Sequence, residues 1–161
     1  MLPTASQAKS DSRPQDVSDL AQRVWFRLIR LERRVQGAMA ERFRKAGLSV
    51  PQGDVLMTLT EQEGVSQQEL ATRLYVTKGN ISGLVDRLVA AGFVERRVAA
   101  ADRRSHSVHL TPAGRQAAML AFSIQNEFVM KTLARMPVRE LEDFDRLIVT
   151  FRDIVREQNE S

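Results

Sequence analysis

Ser66 to Thr111 read S-Q-Q-E-L-A-T-R-L-Y-V-T-K-G-N-I-S-G-L-V-D-R-L-V-A-A-G-F-V-E-R-R-V-A-A-A-D-R-R-S-H-S-V-H-L-T. This stretch decides the fold. Ser66 is a strong N-cap, and Glu69 three residues on completes a capping-box pattern. Leu70, Ala71 and Leu74 follow at helical spacing, and Tyr75-Val76 reads as a turn. Thr77 caps a second helix carrying Ile81, Leu84, Val85 and Leu88 on one face. Gly92 after Ala91 suits the left-handed position that closes a helix. Phe93–Val98 and Ser107–Leu110 read as two strands of a hairpin, with Ala99 to His106 as the loop between them. Helix, turn, helix and hairpin in this order predict a winged helix-turn-helix.

The outer face of the second helix bears Thr77, Lys78, Gly79, Asn80, Ser82, Gly83 and, further along, Arg87. Small and hydrogen-bonding residues let a helix backbone approach a groove floor and offer groups to base edges. Two glycines inside a helix cost roughly 1 kcal/mol each against alanine, and a helix with a purely structural role has little use for both. The bland alternative is an ordinary surface helix. The capped helix before it and the hairpin after it favour recognition of DNA. Ser66 and Gln67, opening the first helix, join the expected DNA-contacting set. In the hairpin loop, Asp102 can pair with Arg103 or Arg104 and leave the other arginine for the minor groove. A solvated charge cluster is the competing reading.

The order of these elements resembles the multiple antibiotic resistance regulator (MarR) family of bacterial transcription factors. The resemblance is carried by L-V-D-R-L-V-A-A-G-F-V-E-R-R at 84–97, D-R-R-S at 102–105 and L-T-P-A-G-R at 110–115. The wing pattern followed by L-T-x-x-G is its most specific part. It extends from about Asp19 to the C-terminus. It implies a homodimeric regulator of pseudo-palindromic double-stranded DNA, with 66–74 as the supporting helix, 77–91 as the recognition helix and Asp102, Arg103 and Arg104 as the wing. It also implies release of DNA by a small ligand or by oxidation.

Composition agrees with such a partner. The 161 residues carry a net charge of +4, and the excess is concentrated. Ser66 to Arg115 hold eight basic residues (Arg73, Lys78, Arg87, Arg96, Arg97, Arg103, Arg104, Arg115) against four acidic ones (Glu69, Asp86, Glu95, Asp102). A phosphate footprint requires such clustering. The chain has no cysteine, which rules out disulfides and thiol-based oxidant sensing. No apolar run approaches the ~20 residues of a membrane span, and the N-terminus lacks the apolar stretch of a signal peptide. A cytoplasmic location, with no membrane partner, is the expectation.

Around this lobe the chain reads as helical. Residues 1–17, with Pro3, Pro14 and several serines, are expected to be a disordered tail. Residues 18–48 and 112–158 form the expected dimerisation region, and 49–111 the DNA-binding lobe. Leu20, Val24, Leu28, Leu31, Val35, Met39 and Phe43 make one apolar stripe on a long first helix, with Gly47 as its stop. A stripe so long exceeds what the lobe would cover. A partner helix from elsewhere in the chain or from a second subunit is needed. The second helix is expected to start with Pro51 at N1 and to carry Val55, Leu56 and Leu59. Thr111-Pro112 repeats this start signal for a helix with Ala117, Leu120, Ala121, Ile124 and Phe128. Pro137 opens a last one with Leu141, Phe144, Leu147, Ile148, Phe151, Ile154 and Val155. The fold class expected is therefore mainly α.

For the switch, a small organic anionic or aromatic effector is expected in a pocket that the family resemblance implies. Trp25, Ile29, Arg30, Asp54 and Met57 are its candidate residues. Trp25 also reads as an interface anchor. Asp54 also reads as a first-turn carboxylate that complements the helix dipole. His106 and His109, the two histidines, stand three apart on a strand and so face opposite sides. No metal site or cofactor is expected. No phosphate-binding glycine loop, nucleophile–base pair or paired carboxylates suggest an enzyme. The alternative function is a winged-helix protein-interaction module without sequence-specific DNA binding.

Overall fold

The computed structural model describes residues 14–99 and 102–159, and the side chains of 15–98 and 106–158. The chain falls into two compact units, Met1–Ala38 and Met39–Ser161.

The first unit holds most of helix α1, Pro14–Lys45. It begins earlier than the expected residue 18. Proline is pre-organised for a first helical turn, where its missing N–H would have no partner anyway. The predicted stripe is continuous, but Leu20, Val24, Leu28, Leu31 and Val35 are all exposed in the isolated chain.

The second unit has the core. The end of α1 supplies Met39 and Phe43, followed by helix α2, Val50–Glu61. Helix α1 closes as expected at Gly47 (φ 75°), where Leu48 N–H donates to the Phe43 carbonyl and Gly47 N–H to that of Arg44. The N-cap of α2 is Ser49, one residue earlier than Pro51 at the first helical position implies. Ser49 and Gln52 form a reciprocal capping box, and Pro51 stands at the second helical position. Strand β1, Val65–Ser66, leads into α3, Gln67–Arg73, and α4, Lys78–Ala90, follows. Strands β2, Val94–Ala99, and β3, Asp102–Leu110, complete an antiparallel sheet of order β1-β3-β2. Helices α5, Pro112–Lys131, and α6, Val138–Asn159, end the chain, with a 3-10 turn at Leu133–Arg135 between them.

The helical periods decide what is buried. In α4, Ile81, Leu84, Val85 and Leu88 are buried as predicted. Each contributes roughly 1.5–3 kcal/mol by leaving water. In α5 the inward face is Ala118 and Ala121 with Ala117, Ile124 and Phe128 beside them. Leu120, read on the apolar face of this helix, is exposed in the single chain. Small residues are needed here because α5 packs closely on α2 and on the base of the hairpin. A β-carbon on Gly114 would lie 1.8 Å from the Phe93 carbonyl oxygen. Thr111 fixes that contact. Its hydroxyl caps α5 by accepting from Gly114 N–H, and it reaches the carbonyls of Gly92 and Phe93. This is the physical content of the L-T-P-A-G signature.

The hairpin differs from expectation. Strand β3 starts at Asp102, so Asp102 to His106 are strand residues and not loop. The ladder is irregular there: Val98 pairs with His106 but Ala99 pairs with Asp102. Residues 103–105 are thus excess on β3, a large bulge opposite one step of β2. Bulges strengthen twist and re-aim side chains.

Candidate nucleic-acid interface

Helix α3 begins at Ser66, whose hydroxyl accepts from Glu69 N–H at 3.1 Å. The expected capping box is only half made. The Glu69 carboxylate turns away to Arg73 at 2.6 Å, because a full charge one helical turn on outcompetes a backbone N–H. Arg73 also reaches Gln62. The turn to α4 is a Schellman closure: Val76 N–H donates to Ala71, Tyr75 N–H to Thr72. Tyr75 sits at its left-handed position, with φ 53°. A residue with a β-carbon there costs roughly 1–2 kcal/mol. Thr77 then caps α4 by accepting from Asn80 N–H at 3.3 Å. At the far end Gly92 (φ 73°) closes α4 by the same motif, as predicted.

On α4 the predicted outer face is outward. Thr77, Lys78, Gly79, Asn80 and Arg87 are exposed, and Ser82 and Gly83 half-buried. Nothing lies within 4 Å of a β-carbon placed on Gly79, and only the Arg87 guanidinium, at 3.5 Å, meets one on Gly83. Among the described residues nothing gives either glycine a steric reason. Gly53 and Gly114 contrast with them: there a β-carbon would run into the Phe43 ring and the Phe93 backbone.

Ser82 has an internal partner. Its hydroxyl meets the Gln67 side chain at 2.8 Å. With the amide nitrogen toward Ser82, the amide oxygen accepts from Arg96 Nη2 and Nε, both at 2.9 Å. Arg96 also pairs with Asp86 on α4 at 2.5 Å. The sequence counts Asp86 and Arg96 among the charges of this stretch but does not pair them, since residues ten apart across a helix end and a turn give no periodic signal. Together with Gln67 they join the start of α3, the middle of α4 and β2.

Ion pairing thins the basic cluster. Arg73, Arg96, Arg97 and Arg115 pair with Glu69, Asp86, Glu95 and Glu63. Lys78 and Arg87, both on α4, have no ion-pair partner among the described residues. The side chains of Asp102, Arg103 and Arg104 lie outside the described residues, and their backbone is the bulged start of β3. Arg115, Glu63, His109 and Ser107 form a separate chain of contacts. His109 Nδ1 stands 3.6 Å from Glu63 and its Nε2 3.0 Å from the Ser107 hydroxyl. His106 is exposed.

The candidate effector residues divide between the units. Trp25 and Arg30 are exposed and Ile29 half-buried in the first; Asp54 and Met57 are half-buried in the second. Asp54 lies beyond the first turn of α2, which starts at Val50 and carries no acidic residue in that turn. The dipole reading of Asp54 is thereby corrected. Burial holds its carboxyl above the usual range.

Three comparisons bear on this geometry. A family model described as MarR family matches residues 46–105. An uncharacterised HTH-type transcriptional regulator of Bacillus cereus is 30% identical over 105 residues, which are 65% of this chain and 69% of that one. Among solved structures, the MarR family transcription regulator SP03579 superposes with a TM-score of 0.81 at 20% identity, over 91% of this chain and 97% of that one. CouR from Rhodococcus jostii RHA1, bound to p-coumaroyl-CoA, gives a TM-score of 0.68 at 28% identity over 94% of each chain.

Proposed function

Since this chain belongs to the MarR family of DNA-binding transcription regulators, we propose that it acts as a homodimeric, ligand-responsive repressor of genes flanked by pseudo-palindromic sites. In this reading Lys78, Asn80 and Ser82 face the major groove. Thr77 and Gly79 lie close to the backbone, with Ser66, Gln67 and Arg87 on flanking phosphates. Arg103 or Arg104 enters the minor groove, and Asp102 orders the wing.

The observation that carries the DNA reading is the pair Gly79 and Gly83. Each weakens α4, and neither is needed by any neighbour among the described residues. Their use is to let something outside approach the helix backbone. The charges of Lys78 and Arg87 beside them, without an ion-pair partner among the described residues, select a polyanion.

The dimer reading is supported by the exposed apolar faces of α1 and α6, including Leu20, Val24, Leu31, Leu147, Ile148 and Phe151. Exposed apolar area on this scale marks an interface. Residues 18–48 and 112–158 would supply it. For the effector, similarity to CouR supports a small aromatic or anionic molecule. Trp25, Ile29 and Arg30 on α1, and Asp54 and Met57 on α2, are the residues to test. The effector would shift the population between dimers with and without DNA-competent helix spacing. A cytoplasmic location follows from work on DNA.

The test is selection from a random duplex pool at ~150 mM salt, where purely electrostatic binding is weakened. Enrichment of an inverted repeat with half-sites about 34–36 Å apart is expected. A folded protein that enriches nothing would overturn the reading and favour a winged helix that binds another protein.

A further inference from the structure

The same helix-closing motif ends three helices of this chain, and the residue at its left-handed position differs. After α1 it is Gly47 and after α4 it is Gly92, with φ of 75° and 73°. After α3 it is Tyr75, with φ 53°. Glycine accepts this conformation freely, and a residue with a β-carbon does not. A strained residue can be retained because its side chain packs into the fold. That explanation fails here. Tyr75 is 93% exposed, and its ring makes no hydrogen bond or ring contact among the described residues. The fold receives a conformational cost and no packing in return.

Position supplies the explanation. Tyr75 stands two residues before Thr77, the N-cap of α4, which keeps its Cα within about 7 Å of that helix start. The N-terminal turn of a recognition helix is the part nearest the duplex. Three features that weaken the free protein thus lie in one short stretch: the left-handed Tyr75, Gly79 and Gly83. The glycines remove bulk where the backbone must come close. The tyrosine adds reach just outside that close approach, where a groove gives way to its phosphate wall. The exposed phenol is a donor on a rigid ring, which loses little freedom on binding.

We infer that Tyr75 is a DNA-contacting residue whose phenol donates to a backbone phosphate beside the recognition helix. This rests on the DNA reading proposed above. A phosphate contact positions the protein and carries no sequence information. A neutral donor also displaces no counterion, so it differs from Lys78 or an arginine in its salt signature.

The experiment measures Kd for the selected duplex, and Tm without DNA, for the wild-type chain, Tyr75→Phe and Tyr75→Gly. Tyr75→Gly is expected to raise Tm by roughly 2–4 °C as the left-handed strain is relieved. It should weaken binding roughly tenfold, equally on matched and mutated half-sites. Tyr75→Phe keeps the ring and the strain. Its Tm should stay as in wild type, and its affinity should fall by about the same tenfold factor, with an unchanged dependence on salt. A Tyr75→Gly protein that is more stable and binds as wild type overturns the inference while leaving the DNA reading intact. So does Tyr75→Phe binding as wild type. Failure of the wild-type chain itself to bind any duplex overturns the DNA reading, and this inference with it.

Discussion

The Gln67 amide at the start of α3 joins the Ser82 hydroxyl in α4 at 2.8 Å, and Arg96 secures its other end. Two residues expected to touch DNA thus hold each other, and they are tied through Arg96 to Asp86. The link ties α4 to the start of α3. Replacing Asp86 by Asn should cost little stability, because Asp86 is largely exposed and such pairs contribute about 0–1 kcal/mol. DNA affinity should fall severalfold as Arg96 loses its anchor. Equilibrium urea unfolding and DNA titration on the same variant check this. A large drop in stability with unchanged relative affinity would contradict it.

Gly79→Ala should separate fold from function. Gly79 is the second residue of α4, where alanine is still favoured over glycine, by at most the roughly 1 kcal/mol of a helix interior, and there is open space for its methyl group. The free protein should therefore become more stable while its affinity for the selected duplex falls. Thermal unfolding and binding measured together give the answer, and a variant improved in both would contradict the close-approach reading.

Gly114→Ala should damage the fold directly. The added methyl group meets the Phe93 carbonyl, a backbone atom that cannot move aside like a side chain. Overpacking of this kind costs about 1–3 kcal/mol or more. A lowered urea midpoint is expected, and an unchanged one would mean that α5 shifts without cost.

The wing arginines should differ from Tyr75 in their salt response. Removing the one proposed to contact DNA, by Arg103→Ala or Arg104→Ala, should lower affinity and reduce the slope of log K against log salt by about 1. Equal slopes for both single variants and the wild type would remove the wing from the interface.

Asp54 gives a pH signature. Burial raises its carboxyl pKa in the folded chain. Between the unfolded and folded values the folded state holds the extra proton, so stability falls as pH rises through that acidic window. The penalty for the buried charge is then fully present at neutral pH. Asp54→Asn should be more stable than the wild type at pH 7 and should lose that part of the pH dependence. Unfolding across the acidic range measures both.

Periodicity and capping made most of the lobe legible in the chain itself. Ile81, Leu84, Val85 and Leu88 repeat at the helical period, and Thr77 and Gly92 bracket them with chemistry that only helix ends use. Such signals are local, because they depend on backbone geometry within a few residues. Side-chain competition is not local in that way. Glu69 could have capped α3, but Arg73 takes it. Leu120 has the hydrophobicity of a core residue, but α5 turns Ala118 and Ala121 inward and leaves Leu120 exposed in the single chain, with its start at Gly114 held close to the Phe93 carbonyl. The junction of Gln67, Ser82, Asp86 and Arg96 exists only once three elements meet. Tyr75 is an ordinary turn residue in the sequence; its left-handed backbone and exposed ring appear only when the closing hydrogen bonds to Ala71 and Thr72 are formed. The sequence by itself determined the elements and their order, since each is set by short-range backbone preferences. The tertiary structure decided which polar groups find an internal partner, because that depends on which partners the packing brings within a hydrogen bond's reach.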